Sequence, residues 1–260
     1  MPFDSTVQFR DLSIDRRTIN GDLRSARNST MLRLIGSPRG NYGSDCRHPT
    51  NSRILSLIRT ESVGPFRVTG LIPAIAVLKT VFAEIERDKP AVAADVGTAG
   101  MLCCRKVRGS STAISNHSWG TAIDLTFGGG VDARGDNRVQ KGLLEVYEYF
   151  IRHGFYWGAA FRTEDAMHFE ASEQLIRKWS DEGQFGGVSG PAASSVLDFG
   201  DRGPEVEELQ SRLSLKLGLD LDVDGIFGGD TRAAVMEFQR MAGLKVDGVV
   251  GQHTSNALMA

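Results

Sequence analysis

Residues 183–200 read GQFGGVSGPAASSVLDFG, a stretch of mostly small residues with one proline and one charged residue. Glycine and proline disfavour regular elements, and side chains this small bring little to a core, so the stretch reads as a connector. It lies between two regions of clear helical periodicity. That position constrains the chain more than any other feature, because it demands two separately packed parts. The 260 residues are enough for both. The division expected is residues 1–182, a linker over 183–197, and a small domain over 198–260.

The last part is the simpler one. Pro204 follows Gly203, and Val206, Leu209, Leu213 and Leu217 then recur every three to four residues, which predicts an amphipathic helix. Val223-Asp224-Gly225-Ile226-Phe227-Gly228 with Thr231 returns 23 residues later as Val246-Asp247-Gly248-Val249-Val250-Gly251 with Thr254. In each copy Asp-Gly supplies a turn and a helix follows. The period is too short for a solenoid, so a small all-α three-helix domain is expected.

The larger part mixes elements. Periodicity predicts helices over 71–87, 141–153 and 171–182, and short strands over 101–107, 122–127 and 167–170. Residues 1–60 show little periodicity and read as an extended lead-in. Strands and helices do not alternate regularly, so the class expected is α+β, a small antiparallel sheet with flanking helices. The glycine-rich stretches 95–100 and 128–130 lack the lysine and βαβ frame of a phosphate cradle and read as loops.

Charge excludes several functions. The chain carries 30 Lys+Arg against 32 Asp+Glu, a formal charge of −2, so no basic surplus points to nucleic acid or an anionic membrane. The total hides two unlike parts: residues 198–260 hold 6 basic and 11 acidic residues, leaving 24 and 21 for the rest. The longest apolar run, 71–78, is eight residues with a proline inside, far below the roughly 20 that span a bilayer. The first residues show no basic and apolar leader pattern, which predicts synthesis without a signal peptide. Three cysteines, Cys46, Cys103 and Cys104, are an odd number in a large chain, which excludes a disulfide framework, and form no metal pair; they read as buried small hydrophobes, with a bridge from Cys46 to one of the other two left open.

Two of the five histidines stand in unusual company. In Ser115-Asn116-His117-Ser118-Trp119-Gly120-Thr121-Ala122-Ile123-Asp124, a histidine leaves a turn just before a strand. By the two-residue period Ile123, Leu125 and Phe127 share one face, and Asp124 is the acid on the other. In Asp165-Ala166-Met167-His168-Phe169-Glu170, Met167 and Phe169 form the buried pair, and His168 and Glu170 point together to the opposite side. Two imidazoles and one carboxylate, leaving a fourth position open, suit a catalytic Zn²⁺. Spacing alone does not establish that. His48, His153 and His253 are expected to have no acidic or cysteine company and read as surface or helix-end residues. Trp119 and Trp157 read as packing.

The pattern Ser115-x-His117-x-x-Gly120-x-Ala122-x-Asp124, followed by Asp165-x-x-His168-Phe169-Glu170, closely resembles the signature of the zinc D-Ala-D-Ala carboxypeptidase and L-alanyl-D-glutamate endopeptidase family, bacteriophage endolysins among them. The resemblance covers roughly residues 64–180. It implies the metal-bearing fold shared with the hedgehog signalling domain, Zn²⁺ as cofactor on His117, Asp124 and His168, and a carboxylate base. Strand parity favours Glu170 as that base. The family places its base three residues before the last ligand, which points to Asp165, with Glu164 a weaker third and Glu170 then an acceptor that supports a ligand. The resemblance also implies a substrate-facing arginine at Arg105, with Arg108 the substitute, and supporting roles for Ser115 and Gly120.

The C-terminal pattern, Gly200-Asp201-x-Gly203 through Leu209-Gln210, Asp224-Gly225-x-Phe227-Gly228, Phe238-Gln239 and Asp247-Gly248, resembles the three-helix peptidoglycan-binding domain; it does not indicate which side chains touch ligand. Together the two resemblances imply a monomeric zinc peptidase whose partner is bacterial peptidoglycan, with no nucleic-acid or membrane partner. It is expected to hydrolyse the stem peptide, at the L-Ala-D-Glu bond, as an endolysin made in the host cytoplasm that acts on the wall after release. Its rivals are a D-Ala-D-Ala carboxypeptidase or D,D-endopeptidase, and, in another class, a non-catalytic wall-binding protein.

Overall fold

The computed structural model describes residues 2–185 and 196–259. Most of the expected linker, residues 186–195, lies outside the described residues. By compactness the chain divides into two units, and not at one point in the sequence. The first takes Met1–Arg27, Ile58–Cys103 and Asn116–Glu182; the second takes Asn28–Leu57, Cys104–Ser115 and the described part of Gly183–Ala260. Among the described residues no helix is long and apolar enough to cross a membrane.

In the first unit all strand pairs are antiparallel. β1 (Thr6–Gln8) pairs with β7 (Arg138–Gln140), and β2 (Ile58–Ser62) with β3 (Arg67–Leu71). The main sheet runs β4 (Val96–Gly100), β5 (Ala122–Phe127), β9 (His168–Ala171), β8 (Phe155–Trp157), with β6 (Gly130–Val131) added to β5. Period two holds along β5: Ile123, Leu125 and Phe127 are wholly buried on one face. Ala122 and Thr126 on the other face are buried as well, and only Asp124 is partly exposed. The expected helices form as Ile72–Asp88, Lys141–Arg152 and Glu173–Asp181, the last capped by the Ser172 side chain, which accepts from the Leu175 amide at 3.2 Å. An aromatic file holds helices to sheet: Phe82 meets Phe150 edge-on at 5.8 Å, Phe150 meets Phe169 at 4.2 Å, and Phe169 stacks on Trp157 at 5.9 Å.

Three expectations are corrected. The strand is not 101–107 but β4, five residues earlier, in the stretch read as a loop. Gly97 makes this work, because a β-carbon there would lie 2.6 Å from the Thr126 hydroxyl of the neighbouring strand. Cys103 is disulfide-bonded and not the small hydrophobe expected. His153 does have acidic company, its Nε2 lying 3.0 Å from Glu84 Oε1.

In the second unit the helices Pro204–Leu217, Gly229–Met241 and Gln252–Met259 enclose a core that includes Val206, Leu213, Phe227, Val235, Phe238 and Leu258. The sequence repeat has a physical basis. Buried Gln210 donates from Nε2 to Asp224 Oδ1 (2.8 Å), Ile226 O (3.0 Å) and Thr231 Oγ1 (2.9 Å), and its Oε1 accepts from the Gly225 amide (3.0 Å). Gln239 repeats the set on Asp247, Val249, Thr254 and Gly248 at 2.9, 2.9, 3.1 and 2.9 Å. Each Asp-Gly turn is thus locked by one glutamine from the preceding helix. Residues 28–57 supply the short helices Asn28–Leu34 and Ser52–Ser56 in a region read as extended. In the same unit Cys104 is buried, which pushes its thiol up to about 12, and Cys46 is disulfide-bonded.

Candidate metal centre

Register brings the site together. β5 and β9 pair so that Asp124 lies directly opposite His168, and Ala122 opposite Glu170. His117 reaches the same place from the turn Asn116–Trp119, just before β5. That turn closes through Gly120, whose φ of +64° is left-handed and whose amide donates to the His117 carbonyl at 3.0 Å. A β-carbon on Gly120 would sit 2.7 Å from the backbone of Gly70, and the Gly120 carbonyl accepts from the Leu71 amide at 2.9 Å. The turn is therefore pressed against β3, and only glycine fits.

Three ligand-type atoms converge. His117 Nε2, Asp124 Oδ1 and His168 Nδ1 lie 3.0 to 3.2 Å from one another. The outer partners fix the protons of the two rings. His117 Nδ1 faces the Met101 carbonyl at 2.8 Å and must donate to it, so its Nε2 carries the lone pair. His168 Nε2 faces Glu170 Oε2 at 2.9 Å and carries its proton there, so in the neutral ring Nδ1 is the lone pair. Three electron-rich atoms meeting at this distance repel one another unless a positive centre stands between them. Four ligands about 2.0–2.1 Å from a tetrahedral zinc are about 3.3 Å apart, close to what these three atoms show. The residues fit such an ion, and among the described residues this trio is the group of His, Cys, Asp and Glu side chains gathered tightly enough to hold one.

In the metal-free protein a second proton on His168 stands in for that positive centre. Burial works to raise the Asp124 carboxyl, but facing His117 and His168 outweighs that and holds it well below the usual carboxylate range. Burial works to lower His168, but Asp124 on one side and Glu170 on the other push it up to about 10. Burial would also raise Glu170, yet His168, with Ser25 and Asn116, keeps it low. Glu170 is 3% exposed and makes its hydrogen bonds inside the protein, as a ligand-orienting acceptor does.

Asp165 is different. The His168 amide donates to the Asp165 carbonyl at 3.1 Å, so the chain turns between the two and carries the side chain off the strand pattern that parity assumed. Its Oδ1 is buried with no hydrogen-bond partner among the described residues, its Oδ2 lies 3.5 Å from Arg134 Nε, and burial raises the carboxyl. Glu164 is committed elsewhere, its Oε1 accepting from the Asn137 amide at 2.9 Å and its carbonyl from Gly135 at 3.0 Å.

Of the other sequence candidates, Arg105 and Ser115 belong to the second compact unit. Arg105 Nη1 donates to the Lys106 carbonyl at 3.1 Å, and the Arg105 carbonyl accepts from the Ser115 amide at 3.0 Å. Trp119 and Trp157 are wholly buried packing residues. Sequence reasoning missed Arg134, which follows a stretch read as loop, and Ser25, whose Oγ donates to Glu170 Oε1 at 2.6 Å. Neither had a motif to mark it.

Two stretches of the chain match known families: residues 108–171 match D-alanyl-D-alanine carboxypeptidase, and residues 202–258 a putative peptidoglycan binding domain. The first contains His117, Asp124, Asp165 and His168; Arg105 falls outside it. Among curated proteins, an autolytic lysozyme of Clostridium acetobutylicum is 37% identical over 93 residues, 31% of this chain and 29% of that protein. A spore cortex-lytic enzyme of Bacillus cereus is 40% identical over 67 residues, 26% of each chain. A zinc D-Ala-D-Ala carboxypeptidase of Streptomyces albus G is 40% identical over 67 residues, 25% of this chain and 26% of that one. The chain thus spans between a quarter and a third of the length of these relatives. Their names denote different activities, so likeness over that share does not select a bond.

Proposed function

We propose that this chain, which joins a D-alanyl-D-alanine carboxypeptidase segment to a peptidoglycan-binding domain, is a zinc endopeptidase that hydrolyses the stem peptide of bacterial peptidoglycan. The observation that carries the reading is the convergence of His117 Nε2, Asp124 Oδ1 and His168 Nδ1 with both outer ring nitrogens already engaged. Zinc, when bound, supplies a Lewis acid for the scissile carbonyl and makes water acidic near neutral pH. The antiparallel sheet that bears these residues supports a fold of the hedgehog and D-Ala-D-Ala-peptidase type.

The protein's own groups would do the rest. Asp165 takes a proton from the attacking water as the carbon–oxygen bond forms, and returns it to the leaving amine as the carbon–nitrogen bond breaks. Its unpartnered Oδ1 and raised carboxyl suit that exchange. Glu170 holds His168 and does not take part in proton transfer. Arg105 is assigned to a carboxylate or developing oxyanion of the substrate, on the resemblance alone. The C-terminal module keeps the enzyme on an insoluble polymer, raising its local concentration without a new contact at the reacting bond.

The bond assigned is L-Ala-D-Glu, because cutting it opens the mesh as an endolysin must, whereas removing a terminal D-Ala leaves the mesh intact. A D-Ala-D-Ala carboxypeptidase is the second reading, favoured by the description of the matching family and by the name of the Streptomyces relative. Mass spectrometry of muropeptides after digestion separates them: new N-terminal D-Glu amines are expected, and loss of a single D-Ala would replace the first reading by the second. Clearing of wall suspensions should stop when a chelator removes the ion. Lysis that persists without metal overturns the mechanism, and tight wall binding with no lysis at all leaves a binding protein.

A further inference from the structure

Residues 20–27, part of the lead-in with no motif, are built into the first unit. Asn20 brackets the Trp157 backbone, Nδ2 donating to its carbonyl at 3.0 Å and Oδ1 accepting from its amide at 2.7 Å. The Arg24 carbonyl accepts from the Glu173 amide at 2.8 Å, Ser25 and Ser172 form an antiparallel bridge, and the Ala26 carbonyl accepts from Asn116 Nδ2 at 3.1 Å. These contacts are made by backbone groups of the segment or by side chains other than Ser25, so they hold it whether or not Ser25 has a hydroxyl. What the hydroxyl adds is one bond, 2.6 Å to Glu170 Oε1, across 145 residues of sequence.

Glu170 is a buried carboxylate whose other oxygen fixes the His168 ring. The terminal torsion of a glutamate is broad, so one hydrogen bond at Oε2 leaves the carboxylate plane poorly defined. A second bond at Oε1 selects one orientation. We propose that Ser25 is a positioning residue of the metal centre: by holding Glu170 it sets the plane and tautomer of His168, and thereby the affinity for the ion. The inference rests on the zinc reading above. Removing partners one step behind a metal ligand costs 10- to 100-fold in affinity, and Ser25 stands one step further out, with Asn116 also facing Glu170, so the low end applies.

The test measures zinc affinity of the full chain by competition with a chelating dye, independently of any turnover. Ser25→Ala should weaken zinc about 10-fold at a temperature where the metal-free variant is fully folded. In a Glu170→Gln background the same change should have no more than about a twofold effect, because the route through the carboxylate is already altered. Should Ser25→Ala not give folded protein, Ser25→Thr and Ser25→Val, alike in shape and unlike in the hydroxyl, provide the comparison: Thr retains affinity and Val loses it. Affinity unchanged in Ser25→Ala, or an equal loss when Glu170→Gln is already present, overturns the proposal. Wild-type protein that binds no zinc removes the zinc reading itself, a separate result seen before any variant is made.

Discussion

The candidate metal centre and the glutamine-locked turns both bury polar side chains among backbone groups, and they do so to opposite ends. Gln210 and Gln239 have donor and acceptor both engaged, on matching partners in two copies. At the candidate metal centre the outer atoms are engaged in the same way, but the three inner atoms have only one another and a shared proton, and Asp165 Oδ1 has no hydrogen-bond partner among the described residues. A fully satisfied network fixes a shape. One satisfied only on its outside is waiting for something to bind or a proton to move.

The comparison breaks if substitutions on the two sides have the same kind of effect. The largest effect expected is Asp165→Asn, which should lower turnover roughly 10²- to 10⁴-fold while zinc content and melting temperature hold. Full activity in that variant would return the base to Glu170. Gln210→Ala or Gln239→Ala should do the reverse. Stripping a glutamine from its turn leaves several buried groups unpaired and should destabilise the second unit by about 2–4 kcal/mol in denaturant unfolding. Zinc content should not change, and a loss of metal there would mean the two networks are not independent in function.

The smallest effect sharpens the boundary between the two kinds. Asp132 accepts from the Gln140 amide at 2.7 Å, but its Oδ2 has no partner among the described residues. Burial pushes its carboxyl from 3.8 up to about 7, and the facing anions Asp136, Glu164 and Asp165 add to this against the Gln140 bond. Unfolded, the group loses its proton near its ordinary value; folded, it keeps the proton to about 7. Native stability from this group is therefore intact below the unfolded value and declines as pH rises through that window. Asp132→Asn, which keeps the acceptor, should melt higher than wild type at pH 8 and equal to it near pH 4. A difference independent of pH would assign the effect to packing.

The sequence made parts of this legible and hid others for definite reasons. Asp124, His168 and Glu170 could be placed because strands alternate, and parity failed for Asp165 only where a turn interrupts the strand. β4 was hidden because glycines that read as loop are what allow its close approach to β5. Ser25 and the grouping of residues 28–57 with the C-terminal helices were hidden because they rest on single long-range bonds. Ser37 N to Glu208 Oε2 at 3.0 Å and Asn41 Nδ2 to Asp220 Oδ1 at 2.9 Å are examples, and such bonds leave no period to detect.

The direct opposition of Asp124 and His168 across β5 and β9 has a consequence for folding. A strand that slips by one residue turns every side chain to the other face. Here a slip would exchange His168 and Glu170 for Met167 and Phe169, and the ion would lose a ligand and its support together. Binding free energy that exists only in the native state counts toward folding. The same ion proposed for the chemistry would thus act as a proofreader of the sheet, rewarding the one alignment in which the strands are joined correctly.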